Sequence, residues 1–209
     1  LNKRLLLIGG GGHCHSVIDS VLSMAEYNQI GIIDSATGSY NGVEVIGNDD
    51  DLPRLFLEGW NEAFISVGSI ENTIIRRRLY ETIRFIGFSI PIIIDPSAIV
   101  ANGCKIEKGS FIGKRAVINS GTSLGICSIV NTGAIVEHDC HIGDFSHISP
   151  GTVLCGQVNV GNDSHVGAGS VVRQQICIGN DVVIGIGSVV VKNVSDKVKA
   201  YGNPCKVVV

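Results

Sequence analysis

Charge is scarce in this 209-residue chain. Lys, Arg, Asp and Glu make up 17% of it and nearly cancel, leaving a formal net charge of −3. It has no basic stripe, which excludes the electrostatic footprint of a nucleic-acid binder. Long apolar runs are missing too: none approaches the roughly 18 residues that cross a bilayer, so no membrane span is expected. The start, Leu1-Asn2-Lys3-Arg4 followed by Leu5-Leu6-Leu7-Ile8, has the charge order of a secretory signal. Its apolar run is too short, and glycines stand where a cleavage site would be, so it reads as a first buried strand. The seven cysteines are odd in number and scattered. They read as free thiols, and free thiols point to a reducing cytoplasm.

Against these scarcities stands one regularity. Sixteen consecutive hexapeptides carry an aliphatic residue at one fixed place, from Val100 and Ile106 to Ile184 and Val190. Two residues before each comes a mostly small one, as in Ala98, Ser110, Ala134, Ser146 and Ser188. A strict period of six is the signature of a hexapeptide β-helix. Each hexad makes one flat side of a triangular prism, three hexads close a turn, and residues 18 apart stack. The aliphatic and the small place point inward, and the place between them points outward. Glycine, with 27 residues, suits the tight corners. Cys104 and Cys140 fall on the inward small place, where they act as small hydrophobes, so an acyl-enzyme through Cys140 is not expected.

Residues 1–94 do not follow this period. Short apolar stretches at 5–8, 30–33, 43–46 and 63–67 alternate with helical ones at about 13–24, 49–57 and 72–86. Such alternation predicts a small parallel sheet. The hexad phase starts with Val100, so the boundary falls at residue 95. The loop Gly9-Gly10-Gly11-Gly12 follows a strand and opens a helix, the context of a phosphate-binding turn; the same stretch also serves as a bare tight turn. Asp34 ends the second strand, where a carboxylate accepts a bond from a ribose hydroxyl.

Six histidines complete the inventory. His13 and His15 flank Cys14 at the glycine loop. His141, His147 and His165 share the outward place of the repeat, and His147 and His165 are 18 apart. These read as surface or trimer-packing residues, or as donors for a zinc ion of the kind bound by gamma-class carbonic anhydrases. His138 stands at a corner between Glu137 and Asp139, carboxylates that orient an imidazole and increase its basicity.

The stretch LLLIGGGGHCHSVID at 5–19 resembles the opening loop of sugar-nucleotide acetyltransferases of the bacillosamine and perosamine pathways. VNTGAIVEHDCHIGDFSHISPG at 130–151 resembles their active-site coil, and Tyr201-Gly202-Asn203-Pro204-Cys205-Lys206 their closing segment. The stretch Gly47-Asn48-Asp49-Asp50-Asp51-Leu52 is similar to relatives in sialic-acid capsule clusters. The resemblance implies an α/β N-terminal domain with a small Rossmann-like parallel sheet, residues 1–94, that binds a nucleotide-linked amino sugar. An all-β left-handed parallel β-helix, residues 95–209, would bind acetyl-CoA. It implies His138 as general base, Asp139 as its supporting acid, and the Gly156 N–H, 18 residues after His138, as donor to the thioester oxygen. It implies His147, Ala168 and Ile186 along the acetyl-CoA arm. It implies Gly11, Gly12, His13, Asp34, Ser35, Gly68 and Asn131 around the sugar nucleotide, a UDP-sugar being expected. Ser35 departs from a common Asp-Asp pair, and Cys14-His15 from the usual small residues. The implied protein is a cytoplasmic homotrimer with exposed faces carrying Ile129, His141 and His147. It needs no metal and transfers acetyl to a sugar amine. A sialic-acid hydroxyl acceptor and a non-catalytic trimeric partner are the alternatives.

Overall fold

A computed structural model describes residues 3–208; Leu1 and Asn2 of the basic start lie outside the described residues. Strands β1 (Arg4–Ile8), β2 (Gln29–Ile33), β3 (Ser39–Tyr40), β4 (Val43–Gly47) and β5 (Glu62–Ile65) form one sheet in the order β3-β4-β2-β1-β5. The β4-β2-β1-β5 pairings are parallel. Its apolar runs are buried on both faces, as a parallel sheet requires. Helix α1 (Gly12–Met24) covers one face and α3 (Ile74–Ile86) the other. The stretch 49–57, expected as one helix, splits. Asn48 closes a capping box over a 3₁₀ turn at Asp49–Asp51, and α2 (Leu52–Leu57) follows with Pro53 in its first turn.

The hexads form a left-handed parallel β-helix. Every pairing between its coils joins residues 18 apart up to Val189–Val190, as in Val117↔Ile135 and His147↔His165. The inward aliphatics and their small partners make one continuous core from Ile112 to Ala200. Buried hydroxyls in it return to backbone carbonyls, Ser146 Oγ to Gly161 O at 2.5 Å and Ser170 Oγ to Gly185 O at 3.1 Å, as buried polar groups must. One corner is held by a ladder of side-chain oxygens: Asp144 accepts from Ile126 N–H, Asn162 from Asp144 N–H, and Asn180 from Asn162 N–H, each at 2.8 Å.

The prism begins one hexad earlier than the sequence reading placed it. Strand β6 (Ile93–Ile94) already pairs with Phe111–Ile112. The apolar run before Pro96 resembles a connecting strand, which hides its phase.

The three sides differ in what lies outside them. On the first, Ile93, Phe111 and Ile129 are buried against Leu5, Cys14, Val17 and Val21. The second carries Lys105, Ser123, His141, Asn159 and Cys177 outward. The third carries Ile99, Val117, Ile135, Val153, Val171 and Val189, all half-buried or exposed. The expectation that Ile129 and His147 sit on exposed faces is therefore corrected. Both point away from the prism axis, but the chain's own N-terminal region covers them, leaving them 1% and 9% exposed. His165 is covered likewise. Helix α3 locks this arrangement. Its buried Arg76 donates to the carbonyls of Phe145 and Cys127 at a prism corner, and Arg77 pairs with both oxygens of Asp163.

Candidate active site

His138 stands at the corner between the third and second sides. Its Nδ1 lies 2.9 Å from Asp139 Oδ2. With Nδ1–H donated to that carboxylate, the Nε2 lone pair is left open, the tautomer a proton acceptor needs. Asp139 holds its place in the left-handed region, φ +58°. Gly121, one coil below, has no side chain to meet its carboxylate; a Cβ there would come within 2.2 Å of Oδ1. One coil above, buried Gly156 packs against the imidazole, and a Cβ there would fall 2.5 Å from Nε2. Among the described residues the Gly156 N–H has no hydrogen-bond partner. A base and an unpaired backbone donor thus lie side by side. Cys140, two residues after His138, is 1% exposed, and burial pushes its thiol up to about 11.

A second group gathers at the other corner of the third side. Gly12, His13 and Ser16 of the first turns of α1 meet the loop residues Gly68, Ser69 and Ile70, and Asn131, Thr132, His147 and Pro150 of the prism. They enclose a cleft of about 630 Å³. Gly11 precedes α1 without a side-chain cap, so first-turn amides stay open for an anion. Gly68 packs on His13, whose Cβ would lie 3.3 Å from an added Cβ. Ala168 and Ile186 continue the column above Thr132 and Pro150, each 18 residues on, and Ile186 is exposed.

Burial keeps His13, His147 and His165 neutral; among the described residues His13 Nε2 and His165 Nδ1 have no hydrogen-bond partner, whereas both ring nitrogens of His147 are bonded. His147 Nδ1–H donates to Ser69 O at 3.0 Å, and its Nε2 accepts from Asn131 Nδ2 at 3.1 Å. Burial holds His147 down at about 3 and His13 at about 4, with Arg76 adding to the second shift. His165 Nε2 lies 3.2 Å from Ser149 Oγ. His141 bonds Ser123 Oγ at 2.7 Å on the second side, apart from the other two outward histidines. Among the described residues no three His, Cys, Asp or Glu side chains are grouped to hold a metal ion.

These histidines make stability depend on pH. Their folded-state values lie below the unfolded ones, so the unfolded chain binds more protons as pH falls. The stability is fully present above about 6.5 and is lost as pH drops toward 4, at up to about 1.4 kcal/mol per pH unit for each group. Melting temperature is expected to fall steeply between pH 7 and 5. His13→Gln and His147→Gln should each flatten that slope; an unchanged slope in both would refute the assignment.

Asp34 terminates β2 and joins two loops. Oδ2 accepts from Gly10 N–H at 2.6 Å and Oδ1 from Ala36 N–H at 2.9 Å. These amides hold its carboxyl below the usual range. It borders a second cleft of about 530 Å³ with Gly9, Ser35, Asn48, Asp49 and Arg78. His15, singled out by its departure from the motif, stacks flat on Tyr40 with ring centroids 3.7 Å apart.

A family model of the PglD N-terminal domain matches residues 4–83, and one of the bacterial transferase hexapeptide (six repeats) matches residues 139–174. Among solved structures, a histidine-to-asparagine mutant of perosamine N-acetyltransferase from Caulobacter crescentus, in complex with CoA and GDP-perosamine, is 34% identical. The match has a TM-score of 0.94 and covers 99% of this chain and 97% of that one. The acetyltransferase domain of PglB from Neisseria gonorrhoeae FA1090, in complex with acetyl coenzyme A, is 37% identical with a TM-score of 0.93 over 100% of both chains. WeeI from Acinetobacter baumannii AYE shares the fold at 21% identity, with a TM-score of 0.79 over 99% of this chain and 100% of that one. No curated protein sequence matches the chain.

Proposed function

We propose a reaction for this chain, which belongs to the acetyl-CoA-dependent N-acetyltransferases of nucleotide-linked amino sugars: it transfers acetyl to the amine of a nucleotide-linked 4-amino sugar. The observation that carries the mechanism is His138, oriented by Asp139, beside the unpaired N–H of Gly156. Nε2 of His138 takes a proton from the sugar amine as its nitrogen attacks the thioester carbon. The Gly156 N–H receives the developing oxyanion. As the C–S bond breaks, the proton on His138 passes to the departing sulfur. Residues 1–94 hold the sugar nucleotide, with Gly11, Gly12, His13, Asp34, Ser35 and Gly68 around it. Residues 95–209 carry acetyl-CoA, with Ala168 and Ile186 along its arm. Turnover of acetyl-CoA against UDP-, GDP- and dTDP-4-amino sugars and CMP-sialic acid tests this. Transfer only to the sialic acid would overturn the amine as acceptor.

The working unit is a homotrimer in the cytoplasm. Seven free thiols support the compartment. Two observations support the assembly. The third side of the prism presents only aliphatic residues outward, from Ile99 to Val189, a patch that calls for a cover. That same side separates the cleft at Asn131 from His138. Six residues of extended chain part Thr132 from His138, about 20 Å at most. One copy thus offers the sugar cleft at one corner and the base at the other, and the neighbouring copy supplies the missing half.

Two inactive variants should therefore restore each other. Gly11→Trp sets a bulky side chain in the open space at the start of α1, next to Gly12 on the cleft wall. His138→Ala removes the base. Each alone is expected to be inactive, and co-expressed or refolded mixtures should regain a sizeable fraction of wild-type turnover. Mixed oligomers with no activity would place the whole site within one copy.

A further inference from the structure

We infer that the nucleotide carried by the acceptor sugar is a guanosine diphosphate, read by Asp49 and Arg78 at the rim of the cleft beside Asp34. The inference rests on the reaction proposed above and deepens it.

The cleft lies over the carboxyl ends of the parallel strands, where Ile8, Gly9, Ile33, Asp34 and Val67 form its floor. Ile75 and Leu79, one turn apart on α3, form an apolar wall. Its volume of about 530 Å³ is in the range that holds small ligands. The wall and floor suit a planar base, and Asp34 marks the ribose end. What remains at the far rim is charged. Asp49 Oδ2 lies 3.8 Å from Arg78 Nη2. The neighbouring Asp51 is occupied by the Asn48 N–H and by Arg54, whereas among the described residues Asp49 makes no side-chain hydrogen bond, and it lines the cleft.

A carboxylate next to a guanidinium presents two acceptors followed by a donor. The guanine edge presents the complement: the N2 and N1 hydrogens donate and O6 accepts. Adenine and cytosine offer one donor followed by one acceptor and match the pair in part. Uracil and thymine offer a single N–H between two carbonyls, so one carbonyl oxygen would face a carboxylate oxygen across the contact. A base edge left unpaired or opposed at this half-exposed rim binds more weakly than a matched one. The uridine nucleotide implied by sequence resemblance therefore fits this rim worst.

Binding of bare nucleoside diphosphates to the wild-type protein, measured by calorimetry, tests the inference without any acetyl transfer. GDP should bind about tenfold or more tightly than UDP or dTDP, with ADP and CDP between them, as a bidentate contact discriminates bases. Inosine diphosphate, which lacks the N2 amine, should bind more weakly than GDP. Asp49→Asn should reduce the GDP preference and leave acetyl-CoA affinity unchanged. UDP binding as tightly as GDP would overturn the inference while leaving acetyl transfer to an amino sugar intact. Failure of every diphosphate to bind, with acetyl-CoA still bound, would overturn both.

Discussion

Replacing His138 by Ala is expected to lower kcat by about 10²–10⁴-fold, the usual worth of a general base, with little change in melting temperature. The side chain is 56% exposed, so its loss opens no cavity. Among the described residues its side chain bonds only Asp139. Activity should recover partly at high pH, where the sugar amine is free without enzymatic deprotonation. Asp139→Asn should cost less. An amide can still accept from Nδ1–H and keep the ring in place, but it no longer stabilises the imidazolium that forms during proton transfer. Steady-state kinetics with the true acceptor check both. Wild-type turnover of His138→Ala at neutral pH would remove His138 from the mechanism.

Gly156→Ala should be nearly as damaging, by about 10²–10³-fold in kcat, through one methyl group. The glycine needs no unusual backbone angle, so alanine can adopt its conformation. Its methyl, however, would sit 2.5 Å from His138 Nε2 and 2.7 Å from Cε1, well inside contact distance. The exposed imidazole yields rather than the coil and swings away from the donor beside it. A misplacement of about 1 Å costs on the order of 10² in rate, and the backbone donor loses its aligned partner as well. The variant should keep its melting temperature within a degree or two and its affinity for nucleotide diphosphates, because the clefts lie elsewhere. A folded Gly156→Ala enzyme with normal kcat would mean that the base and the oxyanion donor do not act at one spot.

The stacking of His138 under Gly156 was legible in the sequence because the period of six fixes register: residues 18 apart are neighbours whatever their identity. The glycine loop opening a helix was legible for a similarly local reason, and Gly12–Met24 forms as expected. What lies against an outward residue is not periodic. His147, His165 and Ile129 were assigned the correct direction and the wrong exposure, because the packing of α1 and of residues 68–70 on that side depends on contacts more than 70 positions away in sequence. The aliphatic third side could have been found from the same period by sorting outward residues by side; Ile99, Val117, Ile135, Val153, Val171 and Val189 recur every 18 positions. The pairing of Asp49 with Arg78 carries no such signal. It joins a 3₁₀ turn to a helix 29 residues later through a fold that neither segment announces.

The 18-residue register also sets rules for inheritance. A coil adds about 4.8 Å to the prism and returns the chain to the same side, so gain or loss of 18 residues keeps every later residue on its own side and changes only its height along the axis. A change of six or twelve turns every later residue onto a different side, moving charged positions into the aliphatic patch and separating Ala168 and Ile186 from the column that ends at Asn131 and Thr132. Within residues 95–209, then, insertions in descendants of this chain should come as whole coils or as loops at the corners. With acetyl-CoA placed along Ala168 and Ile186 as proposed, a coil inserted between the column's foot and Ile186 would lengthen the stretch offered to the acyl carrier by one step, and the prism would work as a ruler whose graduations are written in the sequence.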